Sequence, residues 1–129
     1  MSKYHKKEEI KTIDIQLIAL VFTLITAIIS IIITYNQKLE IEEKKTLLSP
    51  KNSLRLTLFN RKFILLLSFV FLYVNYSLFK ISKEEGENLK PYNLQILASI
   101  LVIISGIIAL YVVSLSTTEN VSDVENPII

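Results

Sequence analysis

The chain has 129 residues, of which 51% are apolar and 20% are charged, with a net charge of +2 at pH 7. This length suits one domain, and so small a net charge predicts no nucleic-acid partner. Because the chain has no Cys, disulfides, thiolate metal sites and cysteine nucleophiles are excluded.

Three uncharged apolar runs organise the sequence. They are Ile15–Tyr35, Phe63–Phe79 and Tyr92–Leu115, with 21, 17 and 24 residues. A 21-residue helix reaches about 31 Å, which matches the hydrocarbon thickness of a bilayer. The runs are apolar on every side, as lipid-facing helices are. We therefore predict an all-α integral membrane protein with three transmembrane helices in an up-down-up arrangement, a multi-pass protein of a bacterial cell membrane.

The polar segments between these runs complete the predicted organisation. We expect a polar N-terminal leader over 1–12, transmembrane helix 1 over 13–36, a basic helical connector over 37–62, transmembrane helix 2 over 63–80, a short connector over 81–91, transmembrane helix 3 over 92–115 and an acidic flexible tail over 116–129. The positive-inside rule leaves the orientation undetermined, because each side of the membrane would carry seven basic residues. The basic residues of the connector directly precede the second span, which favours placing residues 37–62 on the cytoplasmic side.

The first connector is expected to form a helical hairpin outside the membrane. No helix breaker follows the first span before Leu48, so its helix should continue to that residue. Ser49 as N-cap and Pro50 at the first helical position would then start a helix that runs into the second span. Leu47 and Leu48 would pack against this helix. A strand over 54–59, where apolar and polar residues alternate, is the alternative.

The same connector supplies the candidate contacts for lipids or a partner. Basic side chains beside a span attract anionic head groups, and two leucines share one face of the predicted helix. The candidates are Arg55, Arg61, Lys62, Leu54 and Leu58. Three interpretations of the basic excess stay open: a solvated collar, a patch for anionic lipid head groups, or a docking face for an acidic partner protein.

Small and hydroxyl-bearing residues recur within the spans. Such residues let helix backbones approach each other closely. The candidates for helix packing are Ala19, Thr23, Ala27, Ser30, Ser99, Gly106 and Ala109. A polar stripe along a transport pathway is the alternative. We favour packing, with each hydroxyl bonded to its own helix, because the three apolar runs contain no Asp, Glu, Lys, Arg or His.

Five further positions carry local predictions. Gly86 should end the second helix as a C-cap, and Pro91 suits the first turn of the third. The eleven residues between these spans allow only an antiparallel return. Asn75 and Gln95 are expected to be interfacial polar residues in contact with water, with a hydrogen bond between helices or a contact to a small ligand as the alternatives. His5, the one histidine, is expected to be solvated in the leader.

The sequence offers no catalytic, cofactor-binding or metal-binding residues, and no cofactor is expected. We expect a non-catalytic interaction or accessory protein in a membrane complex, in contact with membrane lipids and a protein partner. A homo-oligomeric pore or small transporter of the holin-like kind is one alternative. A membrane protein that senses anionic lipids is another.

Overall fold

Three α-helices make up the part of the chain that the computed structural model describes, residues 3–115. They are α1, Lys3–Ile41, α2, Pro50–Glu84, and α3, Lys90–Ser114. At 1.5 Å per residue they measure about 58, 52 and 37 Å. Each is long and apolar enough to cross a membrane. The predicted acidic tail over 116–129 lies outside the described residues.

The central helix is α2, which packs against both α1 and α3, whereas α1 and α3 contact each other far less. On the α1 side, the rings of Phe22 and Phe63 meet edge to face with centroids 5.6 Å apart. On the α3 side, Gly106 lies against Leu65, where an added Cβ would come within 3.2 Å of Leu65 Cδ1. The absence of a side chain at Gly106 therefore lets α3 approach α2 closely.

Buried side chains follow a seven-residue spacing along the two longer helices. α1 buries Thr12, Ala19, Thr26 and Ile33, and α2 buries Ser53, Asn60, Leu67, Val74 and Ile81. On α3, Ser99 and Val113 are buried, with Gly106 midway between them. This is the spacing of helices that coil around one another in a left-handed sense. The packed face of each helix is thus a narrow seam.

The candidate packing residues divide between this seam and the outer surface. Ala19, Ser99 and Ala109 are buried, Ser30 and Gly106 are half-buried, and Thr23 and Ala27 are exposed. Helical geometry explains the division, because a step of four residues turns 400°, or 40° past a full circle. Residues spaced four apart from Ala19 therefore rotate out of the seam within two repeats. A residue seven positions away, in contrast, faces within about 20° of the starting residue.

Most apolar side chains on the outer faces stay exposed. Leu17, Ile18 and Val21 on α1 and Leu101 and Ile108 on α3 are each more than half exposed. A water-soluble monomer rarely carries so extensive an apolar surface. The surface is the one expected of helices surrounded by lipid chains.

The first helix ends earlier than the sequence predicts, at Ile41 and not at Leu48. Glu43 adopts a left-handed conformation, with φ of 55°. The Lys44 N–H then donates to the Leu39 carbonyl at 2.9 Å, which closes the helix with a Schellman turn. Residues 42–49 therefore form a turn, and the predicted extramembrane helical hairpin is wrong in its first half.

Asn36 explains why the chain turns here. Its side chain is buried, and its Oδ1 accepts hydrogen bonds from the N–H groups of Leu47, at 2.8 Å, and Leu48, at 2.9 Å. These bonds fold the connector back over the end of α1. Leu47 is left 63% exposed, so the expectation that it packs against the second helix is wrong.

The remaining local predictions about helix ends are confirmed. Ser49 caps α2 by accepting from the Asn52 N–H at 3.2 Å, and Pro50 is the first helical residue. Because α2 is continuous, the alternative strand over 54–59 is wrong. Gly86 follows α2 with φ of 71°, and Pro91 lies in the first turn of α3.

Replacing Asn36 with Leu should destabilise the fold, because two backbone N–H groups lose their acceptor. We expect a loss of about 1–2 kcal/mol in the free energy of unfolding, measured by titrating the full chain in detergent micelles with SDS and following its circular dichroism. Asn93→Leu is the control, since Asn93 is exposed on α3. Equal losses in both variants would contradict the role assigned to Asn36.

Candidate functional site

A cleft runs beside α2 where all three helices contribute side chains. It has a volume of about 420 Å³. Its polar lining residues are Gln16, Thr23 and Thr26 of α1, Ser68 and Asn75 of α2, and Gln95 and Ser99 of α3. Because α1 and α3 scarcely touch, the space over α2 stays open between them. We call this the three-helix cleft.

One hydrogen bond joins α2 to α3 at this cleft. Asn75 Nδ2 donates to Ser99 Oγ at 2.6 Å, and Ser99 Oγ donates to the Gln95 carbonyl at 3.0 Å. For Asn75 the structure therefore shows the alternative of a hydrogen bond between helices, although its partner is Ser99 rather than Gln95. Ser99 lies one turn beyond Gln95, on the buried seam of α3 that faces α2. The seven-residue spacing of this seam is the pattern that distinguishes Ser99 from Gln95 as the partner.

The hydroxyl groups of α1 behave in two different ways. Thr23 Oγ1 donates to the Ala19 carbonyl at 2.8 Å, and Thr26 Oγ1 donates to the Thr23 carbonyl at 2.7 Å. For these two residues, the predicted bond back to their own helix is confirmed. Ser30 differs, because its Oγ accepts from Asn60 Nδ2 of α2 at 2.9 Å. Ser30 therefore joins two helices.

A second cleft continues from the first along α1 and α2. The two clefts share Thr23, Thr26 and Ile64, and the second has a volume of about 710 Å³. Its other lining residues are Ala27, Ser30, Ile31, Thr34, Tyr35, Lys38 and Arg61. Apolar side chains and hydroxyls line most of it, and two cations, Lys38 and Arg61, also belong to its lining. We call it the basic cleft.

The structure separates the residues that the sequence grouped as candidate contacts. Arg61 is buried, with 8% of its surface exposed, and lines the basic cleft. Arg55 and Lys62 are exposed, and Leu54 and Leu58 are half-buried. The five residues therefore do not share one open surface.

Sequence reasoning missed Lys38, which the pairing of α1 with α2 brings to the same cleft as Arg61. A signal for it exists, because Ser30, Thr34 and Lys38 recur every fourth residue along one side of α1.

His5 is held by two carboxylates and is only 17% exposed in its side chain, so the expectation that it is solvated is wrong. Its Nε2 lies 2.5 Å from Glu84 Oε2, and its Nδ1 pairs with Glu85. The hydrogen bond to Glu85 is the largest cause that raises the pKa of His5, and Glu84 adds to it against the opposing effect of desolvation. These contacts join the first turns of α1 to the end of α2, 79 and 80 residues away along the chain.

Comparison with known proteins gives no match to a family model, to a curated protein or to a solved structure. Within residues 3–115, no group of three or more His, Cys, Asp or Glu side chains is placed to hold a metal ion. The geometry of the two clefts is therefore the evidence from which function is inferred.

The paired His5 predicts a pH dependence of stability. Because pairing raises the pKa of His5 above its ordinary 6.5 in the folded state, its stabilisation is fully present below the unfolded pKa and is lost as pH rises through the folded pKa. We expect the free energy of unfolding to fall as the pH rises above about 6.5, and His5→Gln to remove that fall.

Lys7→Gln is the control, since it removes a cation from the same turn of α1 and should preserve the pH dependence. The single histidine also allows a direct NMR titration. A measured pKa at or below 6.5 would contradict the pairing.

Proposed function

We propose that this chain is a non-catalytic accessory protein of a membrane complex that receives a helix of a partner protein in its three-helix cleft. The observation that carries the proposal is the convergence of polar side chains from α1, α2 and α3 on one open cleft beside the central helix. In the proposed arrangement, the three helices cross a cell membrane up, down and up.

Interhelical contacts support this arrangement in the membrane. Ser30, late in α1, bonds to Asn60, early in α2. Asn75, late in α2, bonds to Ser99, early in α3. Each pair joins the late part of one helix to the early part of the next, as successive crossings in opposite directions require. The apolar outer faces would then meet lipid chains.

The amides at the cleft favour a protein occupant. Gln16 and Gln95 line the cleft inside the apolar runs of α1 and α3. Lipid chains offer no hydrogen-bonding group, so a buried amide without a partner is costly there. Helices in membranes associate through small residues and through hydrogen bonds between polar side chains. A partner helix that carries a polar side chain would satisfy these amides, and Ala98 would let its backbone approach.

A second copy of this chain is the competing occupant, and it would make the protein a homo-oligomer of the pore or small-transporter kind. Gly106 and Ala109, the small residues of α3, are packed in or near the contact with α2. One small residue that remains for another helix, Ala98, lines the three-helix cleft. A partner helix and a second copy of this chain would therefore both bind in the three-helix cleft.

Because the chain has no Cys, one introduced Cys gives a unique crosslinking site. We expect Ala98→Cys, in the cleft, to give one band with a different protein in native membranes. Leu101→Cys, exposed outside the cleft, is the matched control and should give none. Adding Gln16→Leu and Gln95→Leu to Ala98→Cys should lower the yield roughly five- to tenfold, if each amide contributes about 0.6 kcal/mol.

A ladder of self-crosslinked products at Ala98→Cys would replace the accessory role with the homo-oligomer. Equal products at positions 98 and 101 would show collisional contact, and the assignment of the cleft would then be wrong. The absence of any protein adduct at position 98 would contradict both occupants.

A further inference from the structure

We propose that the basic cleft binds one anionic phospholipid, with its phosphate between Lys38 and Arg61 and the start of an acyl chain along the inner wall. The two cations come from different helices and line the same space. This proposal is independent of the partner-helix proposal, which rests on the three-helix cleft.

The charges that line the cleft favour an anion. The ten residues that line it include Lys38 and Arg61 and no carboxylate. Among residues 3–115, Lys38 has one acidic neighbour, Glu42, at the long distance of 4.0 Å, and Glu42 is 3.1 Å from Lys44. An exposed pair at that distance contributes little, so the Lys38 ammonium can turn towards a phosphate. Arginine adds planar donors that match phosphate oxygens.

The hydroxyl groups beside the cations add hydrogen-bond donors. Ser30 Oγ accepts from Asn60 Nδ2, which leaves its own O–H to donate. Thr34 lies one turn further along α1, next to Lys38 in the same row. Donors on α1 and on α2 therefore line the cleft from two sides.

The depth of the cleft distinguishes a lipid from a free phosphate ion. Tyr35 ends the apolar run of α1, so Lys38 lies at the level of the head groups, where tyrosine is also common. Inward from Lys38 along α1, the wall becomes Ile31 and Ala27, with Ile64 on α2. A ligand with an anionic head and an apolar chain fits this order, and about 710 Å³ lies within the range of ligand-binding clefts.

Native mass spectrometry of the full chain in detergent tests the proposal. The probes are phosphatidylglycerol and phosphatidylcholine with identical acyl chains, with inorganic phosphate as a separate arm. We expect the chain to prefer phosphatidylglycerol. Lys38→Gln with Arg61→Gln should weaken that binding about tenfold or more, since charge-assisted hydrogen bonds are lost.

The matched control removes the same charge outside the cleft. Lys51→Gln with Arg55→Gln lies on the same basic segment, both residues are exposed, and binding should stay within about twofold of the wild type. Equal weakening in the two double variants would overturn the site in favour of a diffuse basic collar. Equal affinity for the two lipids would also overturn it, as would full competition by millimolar inorganic phosphate.

A steric variant keeps the test independent of the buried cation, in case its removal disturbs folding. Ala27→Phe fills the inner cleft without changing any charge and should weaken phosphatidylglycerol binding at least threefold, if it excludes the acyl chain. Ile28→Phe, at the neighbouring exposed position, should leave binding unchanged. Unchanged binding in Ala27→Phe would contradict the placement of the chain within the cleft.

Discussion

Two amide side chains of α2 hold the three helices in register. Asn60 donates to Ser30 of α1 at 2.9 Å, and Asn75 donates to Ser99 of α3 at 2.6 Å. Between helices in a bilayer, apolar surface gives little preference for protein over lipid, so close packing and hydrogen bonds decide which faces meet. Because Asn60 and Ser99 lie on buried seams, each bond fixes both the face and the vertical position of a neighbouring helix.

The placement of both amides on one helix has a consequence for the shape of the molecule. α2 becomes the shared wall, while α1 and α3 have no comparable bond to each other among the described residues. The space between them therefore stays open along α2, and its polar lining follows from the same side chains that join the helices. Asn75 and Ser99 both connect helices and line the three-helix cleft. Packing and candidate function thus share residues in this chain.

Short-range sequence patterns predict much of the fold. The predictions that failed concern contacts between residues that are far apart in the sequence. The apolar runs predict the three helices, and Ser49, Pro50 and Gly86 act on backbone groups within a few positions of themselves. Asn36, in contrast, ends α1 through residues 11 and 12 positions later. His5 finds its carboxylates at the other end of α2. No local pattern encodes such pairings, because they depend on which helix faces which.

The candidate site was predictable in part for a related reason. The sequence singles out Arg61, but it gives the end of the apolar run separately on each helix, after Tyr35 on α1 and before Phe63 on α2. The bond between Ser30 and Asn60 shows that these two ends are not level. The polar start of α2 lies beside the apolar run of α1, which explains why Arg61 is buried rather than part of an open collar.

That offset also limits where the Arg61 charge can be accommodated. A guanidinium beside hydrocarbon is costly unless it reaches water, head groups or polar side chains. The hydroxyls of Ser30 and Thr34, and the basic cleft leading outward past Lys38, supply such a route. Since Asn36 and Asn60 hold α1 at this end and His5 holds it at the other, the wall that carries these hydroxyls is fixed at both ends. A fixed polar wall opposite a buried cation would give the proposed lipid a preformed site, and preformed sites bind with less loss of conformational entropy.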